Sequence, residues 1–134
     1  TTEIGKAVSV HSGNDITIIT YGLGVHWAIE EMSKRQGVSA EIIDLRSLVP
    51  LDVDAIYEAV KKTGKVIVLH EDCLVGGIGG EISALINENC FESLDAPVMR
   101  VASLNSPVPF AENIEKLFLP KTRLQKTVDR LLNY

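Results

Sequence analysis

One stretch of this sequence, Lys65–Cys90, constrains the fold more than any other. It begins with KVIVLH, an apolar run of strand length, and continues into a glycine-dense turn at Gly76–Gly80. From Glu81 onward the apolar residues recur at helical spacing. Strand, glycine turn and helix form the repeating unit of parallel α/β sheets, whose ligands collect at the carboxyl ends of the strands. We therefore expect His70, Glu71 and the glycines to lie at a functional rim.

The rest of the chain shows the same alternation of strands and helices. The patterns predict strands at 5–10, 16–21, 40–45, 65–70 and 96–101, and helices at 25–36, 53–62, 81–90, 114–119 and from 122. This order predicts an α/β fold, a three-layer α/β/α sandwich with a mostly parallel sheet and an edge strand at the start. A chain of 134 residues has room for one such domain, which we assign to residues 1–134.

Composition excludes several classes of function. A formal net charge of -5 argues against non-specific nucleic-acid binding, which needs a basic surface, but permits a basic protein partner. No apolar run approaches the length of a membrane span. The two cysteines, Cys73 and Cys90, have no metal-ligand spacing and are expected to be reduced thiols. Because the chain begins without Met, we expect it to be a fragment of a longer protein.

The glycine turn at Gly76–Gly80 allows two interpretations. Its backbone N–H groups could cradle a phosphate at the N-terminus of the helix. However, the turn lacks a following lysine and a complete GxGxxG pattern, and Glu81 would repel a phosphate. The favoured interpretation is that the glycines allow a tight turn and close packing of the helix on the sheet.

His70 and Glu71 could form an acid/base pair, because histidine titrates near neutral pH and a carboxylate can orient it. Adjacent residues of a strand point to opposite faces, however, so both side chains enter one pocket only if the strand has already ended. A structural or interface role is therefore favoured over catalysis. Tyr21 also ends a strand and is expected at the same rim.

Two other sites are candidates for protein contacts. Trp27 lies off the predicted apolar stripe of its helix, so it is either an exposed interface residue or a partly buried flank. Acidic residues surround the apolar Phe91 and Leu94; these are Glu88, Glu92 and Asp95. Such a cluster is either a solvated rim or an acidic patch for a basic partner, to which the carboxylate of Tyr134 would add one more negative charge.

Nearly the whole chain resembles the C-terminal domain of the transketolase-like beta subunits of 2-oxo acid dehydrogenase complexes. The matching motifs, in order, are GNDITIITYG from Gly13, EIIDLRSLVPLD from Glu41, KTGK from Lys62, His70-Glu71, residues 76–82, LDAP from Leu94 and NSPVP from Asn105. His70-Glu71 and the final Leu132-Asn133-Tyr134 favour the branched-chain (2-oxoisovalerate) type over the pyruvate type.

The resemblance implies a sheet of five strands, four parallel and an antiparallel first one. It also implies a parent enzyme that decarboxylates a 2-oxo acid with thiamine diphosphate and magnesium and passes the acyl group to a lipoyl arm. In this family the cofactor lies between two other domains, and neither the GDG…N diphosphate motif nor the pyrimidine-domain glutamate is present here. We therefore expect no catalytic, cofactor or metal residues in this chain and no activity from it alone.

The family uses this domain mainly for assembly, with the alpha subunit and a second beta subunit as partners. It also docks the small basic subunit-binding domain of the dihydrolipoyl acyltransferase core. Asp95 matches the acidic residue of the family that takes part in docking, and Glu92 and Tyr134 are further candidates. His70, Glu71 and Tyr21 are expected near the active-site channel, and related beta subunits lack a histidine at position 70. The implied location is cytoplasmic, or the mitochondrial matrix in a eukaryote, in branched-chain amino acid catabolism.

Two hypotheses from different classes follow. The first is an assembly and docking domain of a thiamine-dependent dehydrogenase of branched-chain or pyruvate type. The second is an autonomous module that binds an anion or nucleotide at Gly76–Gly80 without a partner. The substitution Asp95→Arg separates them, because it should abolish docking and spare anion binding.

Overall fold

The computed structural model describes residues 3–134 and contains one five-stranded sheet. The strands are β1 (Val8–His11), β2 (Ile16–Thr20), β3 (Ala40–Asp44), β4 (Val66–Cys73) and β5 (Met99–Ser103). Their spatial order is β1-β3-β2-β4-β5. β1 pairs with β3 in the antiparallel sense, and the other pairs are parallel. The predicted mixed sheet with an antiparallel first strand is therefore confirmed.

The helices fill the connections between the strands. They are α1 (Leu23–Ser33), α2 (Val53–Thr63), α3 (Ile78–Cys90), α4 (Glu112–Phe118) and α5 (Lys121–Leu132), with a 3-10 turn at Phe91–Ser93. Asp52 caps α2, because its carboxylate accepts a hydrogen bond from the Ala55 N–H at 3.3 Å. Gly64 ends α2 in the left-handed conformation, with a φ of 70°.

Two separate hydrophobic cores make the three layers. Residues from α1 and α5 pack on one face of the sheet, where Ile18, Ile42 and Leu69 point toward them. Residues from α2 and α3 pack on the other face, against Ile19 and Val68. Strand side chains alternate between the two faces, so both faces of every central strand are apolar. This is why the strands read as continuous apolar runs in the sequence.

Several element boundaries differ from the sequence-based expectation, including the end of α1 at Ser33 rather than at position 36 and the start of β1 at Val8 rather than at position 5. Three others lie near the candidate sites. α3 begins at Ile78 rather than at Glu81, because Gly77 is extended and the Gly80 N–H already donates to its carbonyl oxygen at 3.2 Å. β4 continues to Cys73, beyond the predicted end at position 70. β5 begins at Met99 rather than at position 96, because its pairing with β4 starts opposite Ile67.

The apolar stripe predicted for α1, formed by Val25, Ala28, Ile29 and Met32, is correct in part. Ala28 and Met32 are buried, but Trp27 is buried with them, Val25 is only partly buried and Ile29 is 41% exposed. The buried face of α1 is therefore turned from the predicted one toward Trp27, which packs in the same core as residues of α5. Trp27 is a core residue, and the interface interpretation is wrong.

Candidate functional site: two edges of one sheet

The candidate residues separate to opposite edges of the sheet. His70, Glu71 and Tyr21 lie at the carboxyl edge, where the parallel strands end. Asp95 lies at the amino edge, because its N–H donates to the carbonyl oxygen of Gly64, just before β4 begins, at 2.8 Å. The two groups therefore cannot form one site, and we describe each edge separately.

At the carboxyl edge, the imidazole of His70 is fully buried beneath the glycine turn. Its Nε2 atom accepts a hydrogen bond from the N–H of Gly79, at 3.2 Å. Its Nδ1 atom has no hydrogen-bond partner among residues 3–134. Burial lowers the pKa of His70 below its ordinary value, although the negative charge of Asp72 acts in the opposite direction. His70 is therefore part of the interior and is not exposed at a rim.

The glycines of the turn allow the histidine to pack this closely. A Cβ atom on Gly79 would lie 2.5 Å from His70 Nε2, and one on Gly77 would lie 2.6 Å from His70 Cε1. Neither distance is possible without movement of the ring. These glycines serve close packing of helix on sheet, as favoured above, and the N–H of Gly79 is already bonded to protein.

Glu71 and Tyr21 have different surroundings from His70. Glu71 is exposed, and its carbonyl oxygen accepts a hydrogen bond from the Ser103 hydroxyl. Tyr21 is half-buried against the core on the α2 and α3 side. Burial, followed by the negative charges of Asp72 and Glu71, raises the pKa of the Tyr21 phenol. The structure therefore places Tyr21 near Glu71, but the histidine and the carboxylate do not share a pocket.

Large apolar side chains are exposed on the segments that follow the strands at this edge. They include Val49, Val75 and Phe110, with exposures of 91%, 72% and 106%, together with Leu23 and Leu104. The backbone N–H of Val75 donates to Asn105 Oδ1 at 2.8 Å, so two of these segments are joined. Exposed apolar residues gathered at one edge are typical of surfaces that another protein segment covers.

The amino edge carries an open groove of about 700 Å³. All three residues predicted to bind a partner line it, namely Glu92, Asp95 and Tyr134. Its remaining walls include Asn87, Phe91, Leu94, Ala96 and Pro97. Phe91 is 71% exposed and also borders a second hollow, which Lys61 and Glu88 line. The groove therefore combines carboxylates with an exposed aromatic ring.

The acidic groups of this groove and of the neighbouring hollow, Glu88, Glu92 and Asp95, form no ion pair within the part of the chain that the structure describes. The last turn of α3, which ends beside the groove, contains no basic residue, so the negative end of the helix dipole adds to the acidic character. A Cβ atom on Gly64 would lie 2.3 Å from Asp95 Oδ2, which shows how closely the carboxylate packs against that loop.

Sequence reasoning missed one buried charged residue, Glu41. Its carboxylate accepts hydrogen bonds from Lys62 Nζ at 2.5 Å, from Ser9 Oγ at 2.5 Å and from the Gly13 N–H at 3.2 Å. Burial acts to raise the pKa of Glu41, but these hydrogen bonds outweigh it and lower the pKa. The residue joins β1, the following turn and α2. Its only sequence signal is a charge inside an apolar strand.

Within residues 3–134, no group of three or more His, Cys, Asp or Glu side chains could hold a metal ion. No helix in the same range is long and apolar enough to cross a membrane.

The fold and the two edges define a class of protein. The chain is an α/β domain with a mostly parallel sheet, a closed carboxyl edge and an acidic groove at the amino edge. The sequence identifies the family directly, because the family model named transketolase, C-terminal domain, matches residues 5–123. The chain belongs to this family.

Relatives of known function are beta subunits of dehydrogenases. The chain is 47% identical to the 2-oxoisovalerate dehydrogenase subunit beta of Bacillus subtilis, with 87% of this chain and 36% of the relative aligned. It is 39% identical to the pyruvate dehydrogenase E1 component subunit beta of the same organism, with 100% of this chain and 42% of the relative aligned. The chain thus spans well under half the length of these relatives.

Solved structures give the same fold. A split-gene transketolase, described as an inactive beta4 tetramer, matches with a TM-score of 0.81 at 25% identity, over 98% of this chain and 43% of that one. A 2-oxoglutarate:ferredoxin oxidoreductase from Magnetococcus marinus matches with a TM-score of 0.59 at 17% identity, over 95% of this chain and 19% of that one, and supports the fold alone.

Proposed function

We propose that this chain is the assembly and docking domain of the decarboxylating component of a 2-oxo acid dehydrogenase complex. The observation that carries the proposal is the groove at the amino edge, where Glu92, Asp95 and Tyr134 lie together. The parent enzyme would use thiamine diphosphate and magnesium to decarboxylate a 2-oxo acid and would transfer the acyl group to lipoyl. No residue of this chain is assigned to that chemistry.

The docking partner would be the small basic subunit-binding domain of the dihydrolipoyl acyltransferase core. Carboxylates without an ion-pair partner attract basic side chains, and they do not first have to lose an internal contact. Asp95 is exposed, and the backbone hydrogen bond to Gly64 holds it at the groove. The exposed ring of Phe91 supplies apolar area beside it.

The assembly role would use the opposite edge. The exposed side chains of Val49, Val75 and Phe110 form an apolar surface that the alpha subunit, a second beta subunit or the remainder of this subunit would cover. Docking and assembly would then occupy different edges of the sheet, so that one domain could do both at once.

The substrate proposed for the parent enzyme is a branched-chain 2-oxo acid, in amino acid catabolism. Two 2-oxoisovalerate dehydrogenase beta subunits are 47% and 42% identical to this chain, and two pyruvate dehydrogenase beta subunits are 42% and 39% identical, so the two ranges meet. His70-Glu71 and the final Leu132-Asn133-Tyr134 favour the branched-chain type. The location proposed for such an enzyme is the cytoplasm, or the mitochondrial matrix in a eukaryote.

Calorimetric titration of the 134-residue chain with the subunit-binding domain tests the docking role. We expect binding that weakens as salt rises from about 0.05 to 0.5 M, because the Debye length falls below the separation of exposed charges. Asp95→Arg should remove binding, because it places a cation opposite a basic partner. Asp54→Arg, an equal change of charge at an exposed position of α2, should leave binding unchanged.

Two results would contradict the proposal. Equal losses from Asp95→Arg and Asp54→Arg would mean that only net charge matters. Phosphate or nucleotide binding that survives Asp95→Arg, without binding of the basic domain, would favour the anion-binding module instead. The anion-binding hypothesis also requires that the Gly79 N–H give up the hydrogen bond that it donates to His70 Nε2.

A further inference from the structure

His70 is a buried titratable group that the proposed function does not use. It is fully buried, and only one of its two ring nitrogens is bonded. An unsatisfied polar atom in the interior destabilises the fold and calls for an explanation. The hydrogen bond and the charges around the ring decide which of its protonation states fits this position.

The hydrogen bond from Gly79 fixes the tautomer. Because the Gly79 N–H donates to Nε2, that nitrogen must carry a lone pair and no proton. The neutral ring therefore carries its proton on Nδ1, the atom without a partner. A second proton would have to enter at Nε2, where it would face the N–H of Gly79 and break the bond.

Neither the ring nor the helix has room to adjust. Gly77 and Gly79 both contact the ring so closely that even a methyl group on either would collide with it. Gly79 also belongs to the first turn of α3, whose N-terminal dipole is positive. An imidazolium at this place would meet a positive helix end inside an apolar core.

The charged groups around His70 do not reverse this preference. On its own strand, Asp72 favours the charged ring through both its negative charge and its backbone, and Glu71 is exposed. On β5, Arg100 disfavours the charged ring; its Nη1 donates to the Leu74 carbonyl oxygen at 3.0 Å. Tyr21 follows β2, and Glu81 in the first turn of α3 is exposed. Burial outweighs these charges and lowers the pKa of His70.

We propose that His70 is an acid-sensitive latch, which holds the glycine turn and the first turn of α3 against β4 while its ring is neutral and releases them when the ring is protonated. The inference goes beyond the docking function, because the latch lies at the edge opposite the groove. Its consequence is that the shape of residues 71–79, at the edge proposed for assembly, depends on pH.

Amide hydrogen exchange of the whole chain tests the latch. Once the turn opens, His70 titrates with an ordinary pKa of about 6.5. Opening therefore takes up a proton below this pH, and the protection factor of the Gly79 amide should fall about tenfold per pH unit until the folded-state pKa is reached. The amide of Ile18, in the middle of the sheet, should show no such change over the same range.

Matched variants separate the latch from general acid sensitivity. In His70→Gln the side-chain oxygen can accept from the Gly79 N–H and cannot titrate, so protection of Gly79 should become independent of pH between about 5 and 7. His26→Gln, at an exposed position of α1, should behave as the unmodified chain does. Equal pH dependence in all three proteins would overturn the proposal.

A second measurement needs no substitution. Nitrogen-15 spectra of the histidine rings at pH 7 should show a neutral His70 with its proton on Nδ1 and a bare Nε2. A proton on Nε2 would contradict the latch, even if His70→Gln does not fold. Neither measurement depends on partner binding, so failure of the latch and failure of the docking function give different results.

Discussion

The two edges of the sheet differ in how their residues are used. At the carboxyl edge, His70 contacts Gly77 and Gly79 so closely that neither glycine has room for a Cβ atom, and several large apolar side chains are exposed. At the amino edge, the residues around Asp95 leave an open groove, and no ion pair within residues 3–134 involves its carboxylates. The comparison teaches that glycines and charges near strand ends carry different information. Gly77 and Gly79 allow close packing inside the domain, whereas the carboxylates of Glu92 and Asp95 form no ion pair within residues 3–134 and are the groups that we propose for docking.

The largest effect is expected from adding one methyl group at the closed edge. Gly79→Ala places a Cβ atom 2.5 Å from His70 Nε2 and should lower the free energy of unfolding by about 1–3 kcal/mol. Gly80→Ala, the matched control, meets only Arg100 Nη1 at 3.7 Å and should raise stability by up to about 1 kcal/mol through helix propensity. Urea unfolding measures both, and equal effects would show that the edge is not closely packed.

The opposite result is expected at the open edge, where a side chain should matter for binding but not for folding. Phe91→Ser should weaken binding of the basic domain at least tenfold, about 1.4 kcal/mol, because it removes the exposed ring beside Asp95. Stability should change by less than about 0.5 kcal/mol. Phe110→Ser removes a still more exposed ring from the carboxyl edge and should not change binding. Reduced binding in both variants would mean that the footprint is not confined to the amino edge.

Much of the fold could be predicted from the sequence, because its cause is local. Continuous apolar runs predict the parallel strands. Asp52 and Gly64 are residue types that often cap helices, and they stand at the two ends of α2. The errors arose where tertiary packing decides. The stripe of α1 follows contact with α5, which brings Trp27 inward in place of Ile29, and the start of α3 depends on the extended conformation of Gly77.

The candidate sites were predictable to a smaller degree. The groove joins Glu92 and Asp95, which follow α3, with Tyr134, which follows α5. The charges around Phe91 indicated an acidic patch in advance, and the resemblance singled out Asp95 within it. The alternation of strand residues correctly indicated that His70 and Glu71 point apart. It could not indicate that the His70 ring lies beneath Gly79. Nor could it reveal Glu41, whose hydrogen-bond donors are up to 32 residues distant in sequence.

The smallest expected effect is a difference in how Glu41 and His70 make the stability of the fold depend on pH. Glu41 has a lowered pKa in the folded state, so its contribution to stability is present above the unfolded value of about 4.3 and is lost as pH falls through the folded value. His70 also has a lowered pKa in the folded state, but its unfolded value is about 6.5. Its contribution to stability therefore begins to fall below that pH. Glu41→Gln should therefore cost about 1 kcal/mol at pH 7 and less at pH 3, with the decline between pH 5 and 7 retained. Urea unfolding across this range measures the difference. A flat profile between pH 5 and 7 in Glu41→Gln would mean that Glu41, and not His70, causes the decline near neutral pH.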